Sequence, residues 1–356
     1  MKKIAEHMMM WVLCGLMSLQ GCSLIDDDLS VCGTDYELRL EMQLVTNLDL
    51  ELETVLSAET DIYTRTILHD YFSHIFTDHA HDINIGFFST TTDELVYSIH
   101  DVIDANQSTY TFYLPKNDYH AIALANLDEN GVVTLADADN SRMAELVTPS
   151  QDTLPTQETG LFVVSRNIEV QDTADQRIDL TLHMASSAFA LVIDTGNVPV
   201  TSIRAILCKT ADGLMLQDSL YTFDRPKIIR LEEIRPAESS QISKLRVCKL
   251  VNDGTLRAYS EDSVSYPLMY GCASFPSSDE ADASGTYYQC KVYVTKTDGT
   301  TTETILNIRE QLRAGELKVI KSFLLDSGEV KPLNNNEVGV VVTIDWKSGG
   351  EHNQEI

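Results

Sequence analysis

The chain is short of basic residues and of tryptophan. Its 356 residues include 26 Lys and Arg against 54 Asp and Glu, a formal net charge of −28, and only 2 Trp. A surface this acidic repels the phosphates of nucleic acids and the headgroups of anionic lipids. We therefore expect no nucleic-acid partner, while the hydrophobic fraction of 43% is ample for packed cores.

The sequence also lacks the features of a polytopic membrane protein and of common enzymes. No apolar run beyond its start approaches the roughly 20 residues that a membrane-spanning helix requires. The motifs G-x-S-x-G, G-x-x-x-x-G-K-S/T, H-E-x-x-H and G-x-G-x-x-G are all missing. With 54 carboxylates in the chain, pairing two of them into a glycosidase-like dyad carries no information. We expect no enzyme and no cofactor.

The first 21 residues have the organisation of an export signal. Lys2 and Lys3 precede the almost wholly apolar run Met8–Leu19, which is too short to span a membrane. The run leads into Gly21-Cys22, and a small residue directly before a cysteine is typical of bacterial lipoproteins. We predict a lipoprotein signal peptide over residues 1–21 and acylation of Cys22; the alternative is ordinary signal-peptidase cleavage nearby.

Three successive carboxylates, Asp26, Asp27 and Asp28, follow Cys22 almost at once. An acidic run at this place resembles the signal that sends some Gram-negative lipoproteins to the outer face of the outer membrane. The alternative is a solvated linker, which acidic runs usually are. In both interpretations residues 22–33 form a lipidated acidic tether that keeps the body of the protein away from the lipid.

The seven cysteines contain no C-x-x-C pair, so zinc ribbons and thioredoxin-like redox motifs lack support. Cys14 lies in the signal and Cys22 is the lipid site. Five cysteines remain, an odd number in an exported protein, so one of them is free or pairs between chains. The sequence leaves the pairing of these five open: Cys32, Cys208, Cys248, Cys272 and Cys290.

Alternation of apolar and polar residues with a period of two dominates the rest of the chain. Tyr36, Leu38 and Leu40 alternate with Glu37 and Arg39, as is typical of a strand with one solvated face. With turn signals such as Asp-Gly between such segments, the pattern predicts an all-β protein of antiparallel β-sandwiches. Comparable segments lie at 82–89, 95–100, 110–114, 120–127, 160–170, 178–193, 202–210, 244–250, 287–295, 303–308, 317–325 and 338–346.

One segment, Thr60–Phe76, has helical spacing of its apolar residues and predicts a short amphipathic helix on the first sandwich. The polar stretch Gln171–Gln176 is the best linker. It predicts an N-terminal β-sandwich domain over 34–172 and a C-terminal β-sandwich domain over 177–347.

Two groups of residues have some features of a metal site. His79 and His81 would converge if the backbone were extended, but packed or surface histidines are the simpler interpretation. The series Asn126-x-Asp128-x-Asn130-Gly131 has the spacing of a calcium loop, but Asn stands where Asp is usual. A hairpin turn at Asn130-Gly131 is favoured, and no metal site is predicted.

The anchor region carries a more specific pattern. The segment Cys22-Ser-Leu-Ile-Asp-Asp-Asp-Leu-Ser-Val-Cys32 combines a lipobox cysteine, an acidic Asp-Asp-Leu-Ser step and a second cysteine ten residues on. This combination resembles the start of the fimbrillin-associated anchor lipoproteins of Bacteroidales. The resemblance covers most of residues 19–193 and continues through 37–47, 83–88, 119–126, 160–164 and 178–193.

The resemblance implies two transthyretin-like β-sandwich domains, lipid-anchored on the outer membrane at the base of a fimbria. The implied partner is fimbrillin, joined by donor-strand exchange, in which an extended strand of one subunit completes the open sheet of its neighbour. Main-chain hydrogen bonds then give affinity, and alternate side chains give register. The identity of the fimbrillin and the direction of strand donation stay open.

A segment near the C-terminus is a candidate partner strand, since one apolar face is formed by Val338, Val340, Val342, Ile344 and Trp346. The alternative is an ordinary closing strand of the second sandwich. For the whole protein, the alternative function is a surface glycan- or ligand-binding lipoprotein, which would fit the same export route and fold class.

Overall fold

The computed structural model describes most of the chain between residues 35 and 345, and for 248–250, 256–258 and 338–345 it describes the backbone alone. The predicted all-β class is confirmed. The described ranges are 35–50, 52, 62–77, 79–102, 109–136, 143, 145–172, 176–235, 248–250, 256–258, 267–333 and 338–345.

The secondary structure consists mainly of strands. The predicted helix is present as α1 (Ile62–Phe72). Among the described residues, no helix has the length and apolar character needed to cross a membrane. The strands are β1 (Asp35–Val45), β2 (Asp82–Ser89), β3 (Leu95–Val102), β4 (Thr109–Pro115), β5 (Asn117–Ala125), β6 (Thr134–Leu135), β7 (Glu145–Val147), β8 (Thr153–Leu154), β9 (Phe162–Val170), β10 (Gln176–Met184), β11 (Ser187–Asp194), β12 (Val200–Thr210), β13 (Gly213–Met215), β14 (Leu220–Thr222), β15 (Lys227–Arg230), β16 (Glu232–Ile234), β17 (Cys248–Leu250), β18 (Leu256–Ala258), β19 (Leu268–Ser274), β20 (Tyr288–Lys296), β21 (Thr301–Ile308), β22 (Leu317–Leu324), β23 (Val330–Pro332) and β24 (Val338–Asp345).

Sheet 1 has seven strands in the order β3-β2-β5-β9-β10-β1-β4 and folds back on itself as a sandwich. The Phe112 ring of β4 lies 5.0 Å from Phe87 of β2 and 5.7 Å from Tyr97 of β3, although β4 and β3 are the two outermost strands of the sheet. The two layers are therefore β3-β2-β5-β9 and β10-β1-β4. They are joined at one corner, where β9 and β10 share two residue pairs.

The second sandwich is built from sheet 2, with the order β16-β19-β11-β22-β23, and sheet 3, with the order β24-β21-β20-β12-β15-β8. Its core lies between Phe189 and Leu191 of sheet 2 and Tyr288, Val292 and Leu306 of sheet 3, all fully buried. Most pairings are antiparallel, but β1 pairs with β10, β11 with β22 and β15 with β8 in parallel.

Sheet 2 is shared between two cores. Phe189, Leu191 and Ile193 of β11 point into the core of the second sandwich, whereas Ala188 and Ala190 belong to the core that contains sheet 1 and α1. Because successive side chains of a strand point to opposite faces, β11 is covered on both sides.

Sheet 4, with the order β14-β13-β7-β6, joins the two halves of the chain. It packs on the outer face of sheet 1, where Ile122 and Leu124 contact a core that includes Leu146 and Leu214. Since β6 and β7 come from the N-terminal half and β13 and β14 from the C-terminal half, their pairing links both halves by main-chain hydrogen bonds.

The segment between β7 and β9 crosses to the second sandwich and returns. Its strand β8 pairs with β15 in sheet 3. The ammonium group of Lys227, whose residue is only 2% exposed, donates hydrogen bonds to the carbonyls of Pro149 at 2.9 Å and Gln151 at 3.0 Å. Further on, the amide of Gln157 donates to the carbonyl of Ala273 in β19 at 3.0 Å.

The sequence placed a domain boundary between residues 172 and 177 and one strand over 178–193. In the structure this stretch is two strands, and β10 pairs in parallel with β1 inside sheet 1. The change of sheet occurs between β10 and β11, at Ala185 and Ser186, where the Ser186 hydroxyl bonds to the side chain of Gln157 at 2.5 Å. The predicted linker thus lies between two strands of one sheet, because polarity marks a turn but not the sheet to which the next strand belongs.

The turn after α1 approaches the chain closely at Gly160, just before β9, and a substitution of this glycine tests the contact. A Cβ built on Gly160 would lie 2.0 Å from the carbonyl oxygen of Ile75. We expect Gly160→Ala to lower the free energy of unfolding by about 1–3 kcal/mol, the usual cost of overpacking, as measured by urea denaturation.

The matched control is Gly86→Ala. Its Cβ would meet the sulfur of Met143 at 2.7 Å, and that flexible side chain can move away. The control should lose less stability than Gly160→Ala. Equal losses would contradict a rigid contact at Gly160.

Candidate assembly surfaces

The anchor residues predicted from the sequence, Cys22 and Asp26 to Asp28, lie outside the described residues, so their roles stay predictions. The described chain begins with β1 at Asp35. This strand lies inside sheet 1, with β10 parallel on one side and β4 antiparallel on the other. The tether therefore leads directly into a strand that is hydrogen-bonded along both edges.

The candidate partner strand forms β24, at the edge of sheet 3. Its backbone pairs antiparallel with β21 from Val338↔Ile308 to Asp345↔Thr301. Directly opposite residues of an antiparallel pair share a face. Val338, Val340, Val342 and Ile344 are thereby placed on the face that carries the buried side chains of Ile308, Leu306, Thr304 and Thr302.

This pairing is compatible with both interpretations of the segment, the closing strand and the partner strand. β24 extends its own sandwich, as a closing strand does, and within the described part of the chain its other edge has no neighbouring strand. An edge of this kind presents main-chain donors and acceptors to another chain. Trp346 lies outside the described residues.

Two threonines of β21 fix the structure behind β24. The Thr302 hydroxyl donates to the carbonyl of Ser327 at 3.0 Å, and the amide of Val330 donates to the Thr304 hydroxyl at 3.1 Å. Both side chains are fully buried. The hairpin that joins β22 to β23 is thus held against β21. These contacts fix the core-facing side chains of the strand with which β24 pairs.

The Asn126–Gly131 loop uses its polar side chains for the backbone. Asn126, at a φ of 64°, accepts a hydrogen bond from the amide of His81 at 2.7 Å and donates to the carbonyl of Gly160 at 3.2 Å. Asn130 accepts from the amide of Val133 at 2.9 Å. The predicted hairpin is wrong, because β5 and β6 on either side of this loop belong to different sheets.

The carboxylate of Asp82 closes the same loop by accepting hydrogen bonds from the amides of Leu127 and Asp128 at 3.0 and 3.1 Å. Burial, and next the charge of Asp128, raises its pKa above the ordinary value. The Nδ1 atom of His81 lies 3.6 Å from a carboxylate oxygen of Glu129. Over the described ranges, no group of three or more His, Cys, Asp or Glu side chains is placed to hold a metal ion.

The described cysteine side chains, Cys208, Cys272 and Cys290, are buried free thiols. Burial raises the pKa of each of them above the ordinary value. Since the thiolate is the reactive form, these cysteines are packing residues. Cys32 lies outside the described residues and Cys248 is described by its backbone alone, so the pairing of those two stays open.

The family model described as "Fimbrillin-A associated anchor proteins Mfa1 and Mfa2" matches residues 42–265. No curated protein sequence matches the chain.

Solved structures with a similar arrangement share little sequence with the chain. A candidate adhesin from Bacteroides thetaiotaomicron is 10% identical, with 86% of this chain and 96% of that chain covered and a TM-score of 0.49. The fimbrial anchor protein Mfa2 from Porphyromonas gingivalis is 10% identical, with 88% and 98% covered and a TM-score of 0.44. The C-terminally truncated tip fimbrial protein Mfa3 of the same organism is 10% identical, with 88% and 100% covered and a TM-score of 0.41.

The fold defines an all-β protein of packed sandwiches, and among the described strands the outermost ones of sheets 1 and 3 pair along one edge only. Because the family model spans more than half of the sequence, the chain belongs to the fimbrillin-A associated anchor proteins Mfa1 and Mfa2. The resemblance found in the sequence is thereby confirmed. The role of this chain is of the fimbrial anchor type, in association with fimbrial subunits at the cell surface.

Proposed function

We propose that the chain is a lipid-anchored subunit of the outer membrane, located at the base of a fimbria and joined to fimbrillin by β-strand addition. The family match over residues 42–265 carries this proposal. The predicted acylation of Cys22 supplies the membrane attachment, and residues 22–33 supply a short acidic tether that precedes β1.

The route to fimbrillin is the main-chain edge of a sheet. β24 offers eight residues with one edge paired to β21 and the other edge open in the described part of the chain. Its register shows which alternate positions lie on the core face, so a strand added beside it would find both hydrogen-bond partners and a fixed register.

The experiment that tests this function is retention of filaments by the lipidated protein. Full-length protein in outer-membrane vesicles is mixed with fimbriae sheared from the surface of the producing bacterium, and pelleted filaments are measured. We expect retention above that of vesicles without the protein. Equal retention, together with a growth defect of the deletion strain on a polysaccharide, would favour the glycan-binding alternative.

Cys22 tests the anchor. Cys22→Ala removes the only thiol at the predicted cleavage site, so incorporation of radiolabelled palmitate should fall to background and the protein should leave the outer-membrane fraction. Cys32→Ala is the matched control and should keep both properties. Palmitate labelling of Cys22→Ala would contradict the assignment of the lipid site.

The acidic run is tested separately. Changing Asp26, Asp27 and Asp28 together to Ala should leave palmitate labelling unchanged but lower accessibility to external protease, because the proposed surface-export signal is lost. Replacement of all three by Glu keeps the charge and should preserve accessibility. Unchanged accessibility in the Ala variant would show that the run is only a linker.

The terminal strand is tested by Val342→Asp with Ile344→Asp. Burial of a large apolar side chain contributes roughly 1.5–3 kcal/mol, so two carboxylates on the core face should abolish filament retention. The second sandwich should unfold if β24 closes its own sheet, and stay folded if the strand is lent to a partner.

The control for the terminal strand carries the same charges on the opposite face, as Val341→Asp with Thr343→Asp. Thermal unfolding reports on the domain, and Trp346 fluorescence reports on the end of the strand, since the other tryptophan, Trp11, lies in the signal. If the variant with Asp at 342 and 344 folds normally and retains filaments, β24 is not the strand that contacts fimbrillin.

A further inference from the structure

An excursion of the chain leaves sheet 2 and returns to it at a neighbouring position. Ile234, the last residue of β16, pairs directly with Met269, the second residue of β19. Between these two strands lie β17 and β18, which pair antiparallel over three residues each. In the part of the chain that the structure describes, neither of them pairs with a further strand. They therefore form a separate two-stranded ribbon, the β17–β18 ribbon, attached at β16 and β19.

The register gives this ribbon one apolar face and one basic face. Its directly opposite pairs are Cys248↔Ala258, Lys249↔Arg257 and Leu250↔Leu256. Because successive residues of a strand alternate between faces, the first and third pairs share the apolar face and the second pair lies on the other face. An antiparallel ribbon with this alternation keeps its apolar face covered and presents the polar face. The presented face thus carries two cations, Lys249 and Arg257.

The placement of these two cations is unfavourable for the ribbon alone. A single two-stranded ribbon is marginally stable in water. Like charges directly opposite each other in an antiparallel pair lower its stability further. A partner that supplies carboxylates to the face of Lys249 and Arg257 would relieve the repulsion. The pair is therefore arranged for an anionic partner and not for the stability of the ribbon.

The charge around the ribbon is opposite to that of the whole chain. The segment 244–258 has four basic residues against one carboxylate, namely Lys244, Arg246, Lys249 and Arg257 against Asp253. The whole chain has 26 basic and 54 acidic residues and a net charge of −28. An acidic segment of another protein is repelled over most of this molecule but attracted to this basic segment.

The topology separates the ribbon from the tether. β1 runs parallel to β10, and β10 leads through Ala185 and Ser186 into sheet 2. Asp35, which follows the tether, is therefore at the end of sheet 1 away from sheet 2, and the eleven residues of β1 span on the order of 35 Å. The ribbon is attached to sheet 2. This separation favours a fimbrial subunit over the lipid as its partner.

We propose that the basic face of the β17–β18 ribbon binds an acidic segment of a fimbrial subunit. Lys249 and Arg257 pair with carboxylates of that segment, and these pairs offset the repulsion between the two cations. The contact is made by side chains and requires no added strand. This inference rests on the proposed function and adds a contact that is separate from the edge of β24 in sheet 3.

Carbodiimide coupling tests the contact with the full-length protein in outer-membrane vesicles and with sheared surface fimbriae as the probe. The reagent joins an ammonium group to a carboxylate beside it as an amide, with loss of water. We expect mass spectrometry to detect Lys249 joined to a fimbrial subunit at least tenfold more often than Lys331, an exposed lysine of β23. Lys249→Arg should abolish this adduct, because a guanidinium group does not form the amide.

Two results of the coupling would contradict the proposal. Absence of the Lys249 adduct while filaments are retained would overturn the contact and leave the anchor function standing. An adduct that joins Lys249 only to a second copy of this chain would overturn the assignment of the partner.

A charge reversal gives a second measurement. Lys249→Glu places a carboxylate opposite Arg257, so the ribbon should keep or gain stability while its basic face loses its net charge. Filament retention should fall at least threefold. Lys331→Glu makes the same change of charge on β23 and should leave retention unchanged. Unchanged retention by Lys249→Glu would overturn the contact.

Folding and the anchor function are controlled separately. Circular dichroism and the melting temperature identify a variant that fails to fold, in which case the coupling decides. Failure of the unsubstituted protein to retain filaments would overturn the proposed function and this contact together.

Discussion

Burial of sheet 2 on both faces is the constraint on which the other layers depend. Every residue of β11 from Ser187 to Ile193 is buried, so this strand has no solvated face. The large side chains Phe189, Leu191 and Ile193 fill the second sandwich, and the small Ala188 and Ala190 face the core of sheet 1. Separating the two sandwiches would expose the apolar surface on one face of this sheet, which makes each half part of the other's core.

The helix α1 completes the layer on the small-residue face. Gly271 of β19 lies where a Cβ would come within 2.9 Å of the Phe72 ring and 3.0 Å of the Tyr71 ring. The Tyr71 hydroxyl lies 3.4 Å from a carboxylate oxygen of Glu232 in β16. Burial, followed by the charge of Glu232, raises the pKa of Tyr71, so the phenol stays neutral and can donate this hydrogen bond.

The same double burial explains where sequence reasoning succeeded and where it did not. Strands with one wet face, such as β1 and β20, alternate in polarity and could be located from the sequence. β11 and β19 are covered on both faces, so their residues show no period of two. For this reason the sequence-based prediction merged β11 with β10 and missed β19. The anchor residues, by contrast, were predicted from short local motifs, which can be recognised without knowing the fold.

The incomplete pairing of β9 with β10, which share two residue pairs, had a signal in the sequence at Arg166. Arg166 interrupts the apolar positions of β9, and a charged residue at a core position indicates either an error in strand register or an opening in the core. The sequence cannot decide between these. The choice depends on how far apart β9 and β10 lie, which is set by their outer neighbours β5 and β1.

In the proposed role, force passes from the lipid through the tether into β1, and the topology spreads that force over the molecule. β1 shares ladders with both β10 and β4, so a pull along its axis loads two rows of hydrogen bonds together. Besides the chain itself at Ala185 and Ser186, three routes carry the load from sheet 1 to the second sandwich: the shared core at sheet 2, sheet 4, and the crossing segment held by Lys227. A single flexible linker would concentrate the load at one point and let the two halves separate. Three connections that differ in chemistry fix the second sandwich, and the edge of β24, relative to the strand that carries the tether.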